Sequence, residues 1–362
     1  MNLIYDTLVF NKQKHGGIST VFNEIFSRHL ENKQKITLIT SKMPIINADF
    51  LQLNIPKENF YPCEKFNHYQ LLNNTNPFLP KKLIQNQTIF HSTLYRTAKN
   101  KNVKSVVTIN DFTYQKYFTG IPLLLNNHQK NNCARNASGI ICISENTKKD
   151  FLHYFPDFNP SFVKVIYLAA NEVFSSQEES KLPNKFAFLE GKKYVLFVGA
   201  RTFYKKFDFA IRSIETQPDS YLVVVGGGDF SDKERKDIEG IKDRCVFLSG
   251  VTIPDLHLLY KNAFCLLYPS EYEGFGIPVL EAMSSGCPVI AMNKSSIPEV
   301  SRGSCLLLDE YSIEKINECF LNLSRFSFRN EIIQKEIQAS SFFSWDKTYQ
   351  EFMDFYDYIL RF

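Results

Sequence analysis

Short, uninterrupted apolar runs recur along this chain at intervals long enough to hold a helix, and after one polar break the rhythm begins again. The first series is NLIYDTLVF (2–10), KITLIT (35–40), TIFHSTL (88–94), SVVTIND (105–111), GIICIS (139–144) and KVIYLA (164–169). The second is YVLFVGA (194–200), YLVVVG (221–226), CVFLSG (245–250), AFCLLYP (263–269), PVIAMN (288–293) and CLLLD (305–309). Strands exposed on one face alternate apolar with polar residues, whereas continuous runs are what parallel strands covered on both faces require. Between the first two runs, Ile18, Val21, Phe22, Ile25, Phe26 and Leu30 recur at the three- and four-residue spacing of an amphipathic helix. The pattern predicts an α/β chain with two Rossmann-like doubly wound domains.

Boundaries follow from where the rhythm stops. Residues 1–170 form the first expected domain, NEVFSSQEESKLPNKFAFLE (171–190) a linker, 191–340 the second domain and 341–362 a helical tail that holds the only tryptophan, Trp345. A chain of 362 residues is long for one hydrophobic core, which agrees with two domains. Doubly wound sheets bind ligands beyond the carboxyl ends of their strands, so a cleft between two such edges is the expected site.

Charge divides unevenly. Residues 1–150 carry 19 Lys and Arg against 9 Asp and Glu, a balance of +10, so the remainder (23 against 29 of the 42 and 38 in total) stands at −6. The first half therefore either faces something anionic or presents a solvated basic face. Its lysines are dispersed rather than clustered, which suits an anionic membrane surface better than a nucleic acid. The eight cysteines are scattered, none as CxxC, and several sit in apolar runs, as reduced core residues of a cytoplasmic protein do. The chain has no apolar run of about 18 residues, so no membrane span or signal peptide is expected.

Four loops after strands hold the candidate chemistry. RTFYKKFDF places Arg201, Lys205 and Lys206 between a strand and a helix, where free N–H groups attract anions and cationic side chains add to them. HGGIST opens the 18–30 helix with Gly16 and Gly17, which suit either close approach to a phosphate or sugar or a plain tight turn. VVVGGGDF ends a strand in three glycines but does not complete a dinucleotide fingerprint. In YPSEYEGFGIPVLEAM, Glu273 and Glu281 flank a glycine loop that opens a helix at Pro278. Carboxylates accept from vicinal hydroxyls such as those of a ribose. The stretch suits a nucleotide-sugar, with ribose at Glu281, phosphates on Arg201 and Lys205, hexose near Glu273, and the N–H groups of Phe275, Gly276 and Ile277 alongside. His91, in FHSTLYRT, is either a further cleft residue or a structural one at a strand end.

PSEYEGFGIPVLEAMSSGCPVI followed by SSIPEV resembles the E-x7-E region of family 4 glycosyltransferases, retaining enzymes of the GT-B fold, and the likeness extends over nearly the whole chain. GGISTVFNEI resembles the family's N-terminal glycine loop, RTFYKK its phosphate-binding Arg and Lys, FLSGVTIPDLHLLYKNA its nucleobase segment, and FSWDKTYQEF the C-terminal helix that crosses back to the first domain. The resemblance implies Glu281 on the ribose, Arg201 and Lys205 on the diphosphate, Glu273 on the donor sugar, and the backbone near Val251 on the base. The chain departs from the pattern twice. TINDFTY has Asn110 before Asp111 where relatives carry His, and Lys206 stands where many have Asn, so either lysine is a candidate phosphate contact.

The implied reaction is metal-independent transfer with retention: the acceptor hydroxyl attacks on the leaving group's own face and the departing diphosphate takes its proton. No DxD-like loop offers a metal site, and a cationic pair replaces it. The expected donor is UDP-glucose-like, with GDP-mannose next. The expected acceptor is a saccharide or lipid-linked saccharide of bacterial surface polysaccharide, met by a cytoplasmic protein at the inner face of the plasma membrane. A sugar-nucleotide epimerase on the same fold, or a nucleotide-sugar-binding protein without turnover, are the competing readings; no cofactor is implied by any of the three.

Overall fold

The computed structural model describes residues 1–41, 43–63, 76–175 and 181–362. Two compact units share them, Met1–Leu168 with Trp345–Phe362, and Ala169–Ser344. The first is built on seven parallel strands: β1 (Asn2–Asp6), β2 (Ile36–Thr40), β3 (Phe60–Pro62), β4 (Thr88–Ser92), β5 (Val103–Ile109), β6 (Gly139–Cys142) and β7 (Val163–Val165). Their spatial order is β3-β2-β1-β4-β5-β6-β7. The second unit has six: β8 (Lys193–Val198), β9 (Ser220–Val225), β10 (Cys245–Leu248), β11 (Cys265–Tyr268), β12 (Val289–Met292) and β13 (Leu306–Leu308), in the order β10-β9-β8-β11-β12-β13. Every apolar run of the sequence holds a strand, although Leu8–Phe10 of the first run belong to a short helix, Leu8–Lys12, and every strand pair is parallel.

Strand order reverses between β1 and β4 in one sheet and between β8 and β11 in the other. At such a switch the helices that follow the two strands leave on opposite faces, and a crevice opens beyond the carboxyl ends. The loop after β8 carries Arg201 and Lys205, and the loop after β11 carries Glu271 and Glu273. That topology alone brings residues about 70 positions apart to one spot.

In the first unit the Gly17–Glu31 helix buries Val21, Phe22, Ile25 and Phe26 against β1, where Tyr5 packs edge-on to Phe26 with ring centroids 5.0 Å apart. The Trp345–Leu360 helix belongs to this unit and buries Trp345, Tyr349, Phe352, Phe355, Tyr356 and Ile359. It lies directly on β6, because a Cβ at Gly139 would come within 2.6 Å of Ile359 Cδ1. Arg28 Nε donates to Asp346 at 2.7 Å and fixes the start of that helix. In the second unit Val195, Phe197, Leu222, Val224, Leu267, Ile290 and Met292 form the sheet side of one core, covered by Phe209, Ile214, Ile316 and Phe320.

The polar stretch 171–190 is not a free linker. Residues 176–180 lie outside the described residues; of the rest, Phe174, Leu182, Phe186 and Leu189 are buried and 184–189 turn as a 3-10 helix, while Lys185 pairs with Asp255 at 2.5 Å. Its apolar residues are spaced too irregularly to read as an element, yet they dock on the second unit.

Candidate functional site

Lys205 ends a short 3-10 turn after β8, and Tyr204 O accepts from Glu271 N at 2.8 Å, which draws the loop after β11 against it. Across this seam the Lys205 ammonium pairs with the Glu273 carboxylate and lies 3.3 Å from the Tyr268 hydroxyl. Both charged side chains are largely buried. Burial by itself would lower the lysine's pKa; Glu273, with Tyr268 and Tyr204, outweighs it and holds the ammonium above the usual lysine range.

The loop that carries Glu273 is fixed from behind. Ser295, one of few non-glycine residues in the left-handed region (φ 51°), accepts from Glu273 N through Oγ at 2.9 Å. Ser296 Oγ lies 3.0 Å from Glu273 O and 2.8 Å from Phe275 O. The chain then turns at Gly276, whose φ of 104° and 2.7 Å approach to Ile297 Cδ1 exclude a side chain, and the Ile277–Ser285 helix begins with Pro278 in its first turn. Glu281 lies on that helix. Tyr260 donates to its Oε2 at 3.0 Å, and Oε1 has no protein partner among the described residues. Burial pushes the Glu281 carboxyl up to about 7, against the opposing donation from Tyr260. The site thus contains a neutralised Lys–Glu pair and, on the adjoining helix, a carboxyl group with one open oxygen.

Lys206 serves a different contact from its neighbour. Left-handed itself (φ 53°), it sends its ammonium 3.4 Å from Glu271 and 5.5 Å from the centre of the Tyr311 ring. Of the two lysines, Lys205 is the one that faces Glu273. Val251 follows β10 just ahead of Thr252, which caps the Ile253–Asn262 helix.

Arg201 is not placed as a diphosphate clamp. Its Nε donates to Glu234 Oε1 at 2.6 Å, Nη1 to Gly226 O at 2.7 Å, and Nη2 to Gly228 O at 2.8 Å and Asp229 O at 2.9 Å. The guanidinium also lies 4.8 Å from the centre of the Phe230 ring and 5.4 Å from that of Phe247. With its side chain 3% exposed, it has been used up inside the unit. This is also what the three glycines are for. Gly226, Gly227 and Gly228 all take positive φ (94°, 81°, 74°), and a Cβ at Gly227 would sit 2.8 Å from Arg201 Nη1. The sequence held both halves of this arrangement without any sign that they meet.

In the first unit Gly16 caps the Gly17–Glu31 helix and packs against Gln13, so the two glycines sit at a helix start. Asn110 and Asp111 follow β5 at its carboxyl end. Asp111 Oδ1 accepts from Thr113 N at 2.9 Å, and Asp111 O accepts from the fully buried Lys130 at 2.5 Å. Of the two readings of His91, the contacts fit the structural one. His91 is fully buried on β4, with Nδ1 2.6 Å from the Tyr356 hydroxyl and Nε2 3.0 Å from Thr108 Oγ1, and burial lowers its pKa to about 3. Its side chain is consumed in docking the C-terminal helix. Among the described residues no three His, Cys, Asp or Glu side chains gather as metal ligands, and no helix is long and apolar enough to cross a membrane.

The family model for glycosyl transferases group 1 matches residues 178–350. The match covers a little under half of the chain. The stretch holds the Lys205–Glu273 pair, Glu281 and Arg201. Two curated relatives share part of the chain: O-antigen chain mannosyltransferase RfbU of Salmonella typhimurium is 35% identical over 40% of this chain and 45% of its own, and an uncharacterized glycosyltransferase of Methanocaldococcus jannaschii is 31% identical over 44% of each. The chain thus spans under half the length of the curated relatives it matches. Among solved structures, Anabaena HepE in complex with UDP and glucose superposes with a TM-score of 0.72 at 15% identity over 98% of both chains. That likeness shows the GT-B fold for both units.

Proposed function

We propose that this chain is a retaining glycosyltransferase that moves a hexose from a nucleoside-diphosphate sugar to a saccharide or lipid-linked saccharide in bacterial surface polysaccharide synthesis. The observation that carries the reading is the Lys205–Glu273 pair at the β8/β11 switch, beside a Glu281 carboxyl with one open oxygen. Lys205 meets the diphosphate, Glu281 accepts from the ribose hydroxyls, and Glu273, held by Lys205 and by Ser295, orients the sugar. The backbone near Val251 borders the base, and the N–H groups of Gly276 and Ile277, at the helix start, face the leaving group.

The bond between the anomeric carbon and the phosphate oxygen breaks with its electrons on the diphosphate. The acceptor oxygen bonds to the same face of that carbon, and its proton passes to the departing phosphate oxygen. No protein base is required, which agrees with Asn110 at the position where relatives carry His, since an amide does not take a proton near neutral pH. We read the step as metal-independent: Lys205, kept charged by Glu273, supplies the positive field where negative charge develops. The first unit supplies the acceptor side, with Gly16, Gly17, Asn110 and Asp111 as its candidates. Exposed Ile121, Leu124 and Leu125 (71%, 66% and 50%) share one face of the Gly120–Asn136 helix and suit peripheral contact with an anionic membrane.

HepE's complex with UDP and glucose supports a UDP-glucose-like donor, and the mannosyltransferase name of RfbU keeps GDP-mannose next. A thermal-shift panel of UDP, GDP and ADP decides the base, because a ligand raises the melting temperature only of a fold that binds it. Acceptor-dependent release of nucleoside diphosphate then separates a transferase from a binding protein. If none of the three nucleotides stabilises the protein, the donor reading is wrong.

A further inference from the structure

Arg201 and the glycine run have a geometry that neither a phosphate ligand nor a plain turn explains. Four successive peptide carbonyls, those of Gly226 to Asp229, turn towards one guanidinium, at distances from 2.7 to 3.5 Å. In a trans peptide the N–H points opposite to its carbonyl, so the amides of residues 227 to 230 splay outward. Converging carbonyls make a cation socket, not an anion cradle, and here the chain's own arginine fills it. Three consecutive positive-φ residues suit glycine, which takes that conformation without a Cβ clash, and the fork of Arg201 holds the run in place. Glu234 closes the assembly. One of its oxygens takes Arg201 Nε at 2.6 Å, and the other accepts from Ser231 N at 2.7 Å and Ser231 Oγ at 2.6 Å, capping the Asp232–Asp237 helix.

Position says what the socket shapes. β9 lies between β8, which leads to Lys205, and β10, which leads to Val251. The exposed Gly227–Asp229 tip therefore stands on the ligand-binding edge between the strand ends assigned to the diphosphate and to the base. We propose that Arg201 is a positioning residue for the nucleoside: through the Gly226–Asp229 carbonyls and Glu234 it sets the rim against which the base and ribose rest, and Lys205 alone is the cation that meets the diphosphate. This rests on the donor-site reading above.

The two roles separate when a nucleoside is compared with its diphosphate. Affinities for uridine and UDP, guanosine and GDP, and adenosine and ADP are measured on the full chain by calorimetry or ligand-observed NMR at 25 °C, and the tightest-binding pair is taken forward. Arg201→Lys, which keeps the charge but loses the fork, and Glu234→Gln, which leaves Arg201 in place, should each weaken nucleoside and diphosphate by the same factor, on the order of tenfold. Lys205→Met should weaken only the diphosphate, by roughly 10- to 100-fold, and leave the nucleoside unchanged. Uniform loss in the first two variants is not a matter of folding, because it is read below the unfolding transition of each, and Glu234→Gln carries the test if Arg201→Lys does not fold. Arg201→Lys losing diphosphate affinity while keeping nucleoside affinity makes Arg201 a phosphate ligand and overturns the proposal. So does Glu234→Gln with no change in either affinity. A wild-type chain that binds no diphosphate sinks the donor reading itself, and this one with it; a wild-type chain that binds UDP normally while the variants fail the pattern sinks this inference alone.

Discussion

The two sheets reverse strand order in the same way, yet the polar residues at their switch points are used for opposite ends. At β1/β4 Asp6 and the hydroxyls around it are turned inward and satisfied by one another. Asp6 accepts from Thr93 N at 3.1 Å and Thr93 Oγ1 at 2.5 Å through one oxygen, and from Ser92 Oγ at 2.6 Å through the other. Beneath them a relay of hydroxyls and imidazoles runs Tyr349–His29–Tyr5–Tyr356–His91–Thr108, every contact between 2.6 and 3.2 Å. At β8/β11 the polar groups face the ligand edge, and Glu281 keeps an oxygen with no partner among the described residues. A network whose members all satisfy each other rigidifies a fold, whereas a group left open at a desolvated edge is poised for something else. The fold is common to both units; what differs is which polar atoms remain unspent.

Lys205→Met is the sharpest way to break this contrast, because it removes the charge from the open edge. It should lower acceptor-dependent release of nucleoside diphosphate by roughly 100-fold or more, since one charge-assisted contact is worth about 1.5–3 kcal/mol in binding and more where charge develops. Melting temperature should fall as well, because Glu273 is left buried without its counter-charge, so release is compared below the unfolding transition of the variant. Turnover near the wild-type rate would remove Lys205 from the site.

The inward edge makes the reverse prediction. His91→Ala deletes two buried hydrogen bonds, strands the Thr108 hydroxyl and leaves that of Tyr356 only its contact with Tyr5, which should cost about 2–4 kcal/mol in urea or thermal unfolding. Nucleotide affinity in the second unit should be unchanged. A His91 variant of normal stability but altered turnover would restore the sugar-side role that burial argues against.

A smaller effect tests how closely the C-terminal helix lies on this network. Gly139→Ala puts a methyl within 2.6 Å of Ile359 Cδ1 and 2.9 Å of Phe355 Cζ, so overpacking should cost about 1–3 kcal/mol. Ile359→Ala in the same background should recover part of it, because the colliding atom is then gone; strict additivity would place the clash elsewhere.

Most of the fold was legible because parallel strands buried on both faces leave a signal that needs no partner to read. Each of the twelve runs expected as strands holds one, with the end of the first turned into the Leu8–Lys12 helix, and only β3 went unseen: Phe60–Pro62 is three residues at a sheet edge, half-buried, and too short to show a period. The site was legible where chemistry is local. Glu273, Gly276 and Glu281 lie within nine residues, so loop, helix start and both carboxylates declare themselves together. The contacts of Arg201 and His91 were not legible for one shared reason. Each side chain is spent on atoms far along the chain, Arg201 on carbonyls some 25 residues on and His91 on a tyrosine 265 residues on, and neither partner is marked in the sequence.

Glu281 refines the comparison, because its open oxygen comes at a cost the buried edge avoids. Burial raises its pKa from an ordinary 4.5 to about 7 in the fold. For an acid shifted upward, the protonated form is the one the fold favours. Its contribution to stability is therefore fully present below pH 4.5 and is lost as pH rises through 7. Glu281→Gln keeps the neutral shape at every pH, so the free variant should be more stable than wild type at pH 8, by about 1–3 kcal/mol, and equal to it at pH 4. Nucleotide binding should show the opposite sign. The carboxylate is the better acceptor for ribose hydroxyls, so wild-type affinity should climb between pH 6 and 8 by severalfold while the glutamine variant stays flat and weaker. Melting curves and UDP titrations at pH 4, 6 and 8 read both effects on the same samples. A glutamine variant that loses stability at pH 8 would mean that Glu281 is held as a charge by the fold itself, and the open edge would then resemble the buried one.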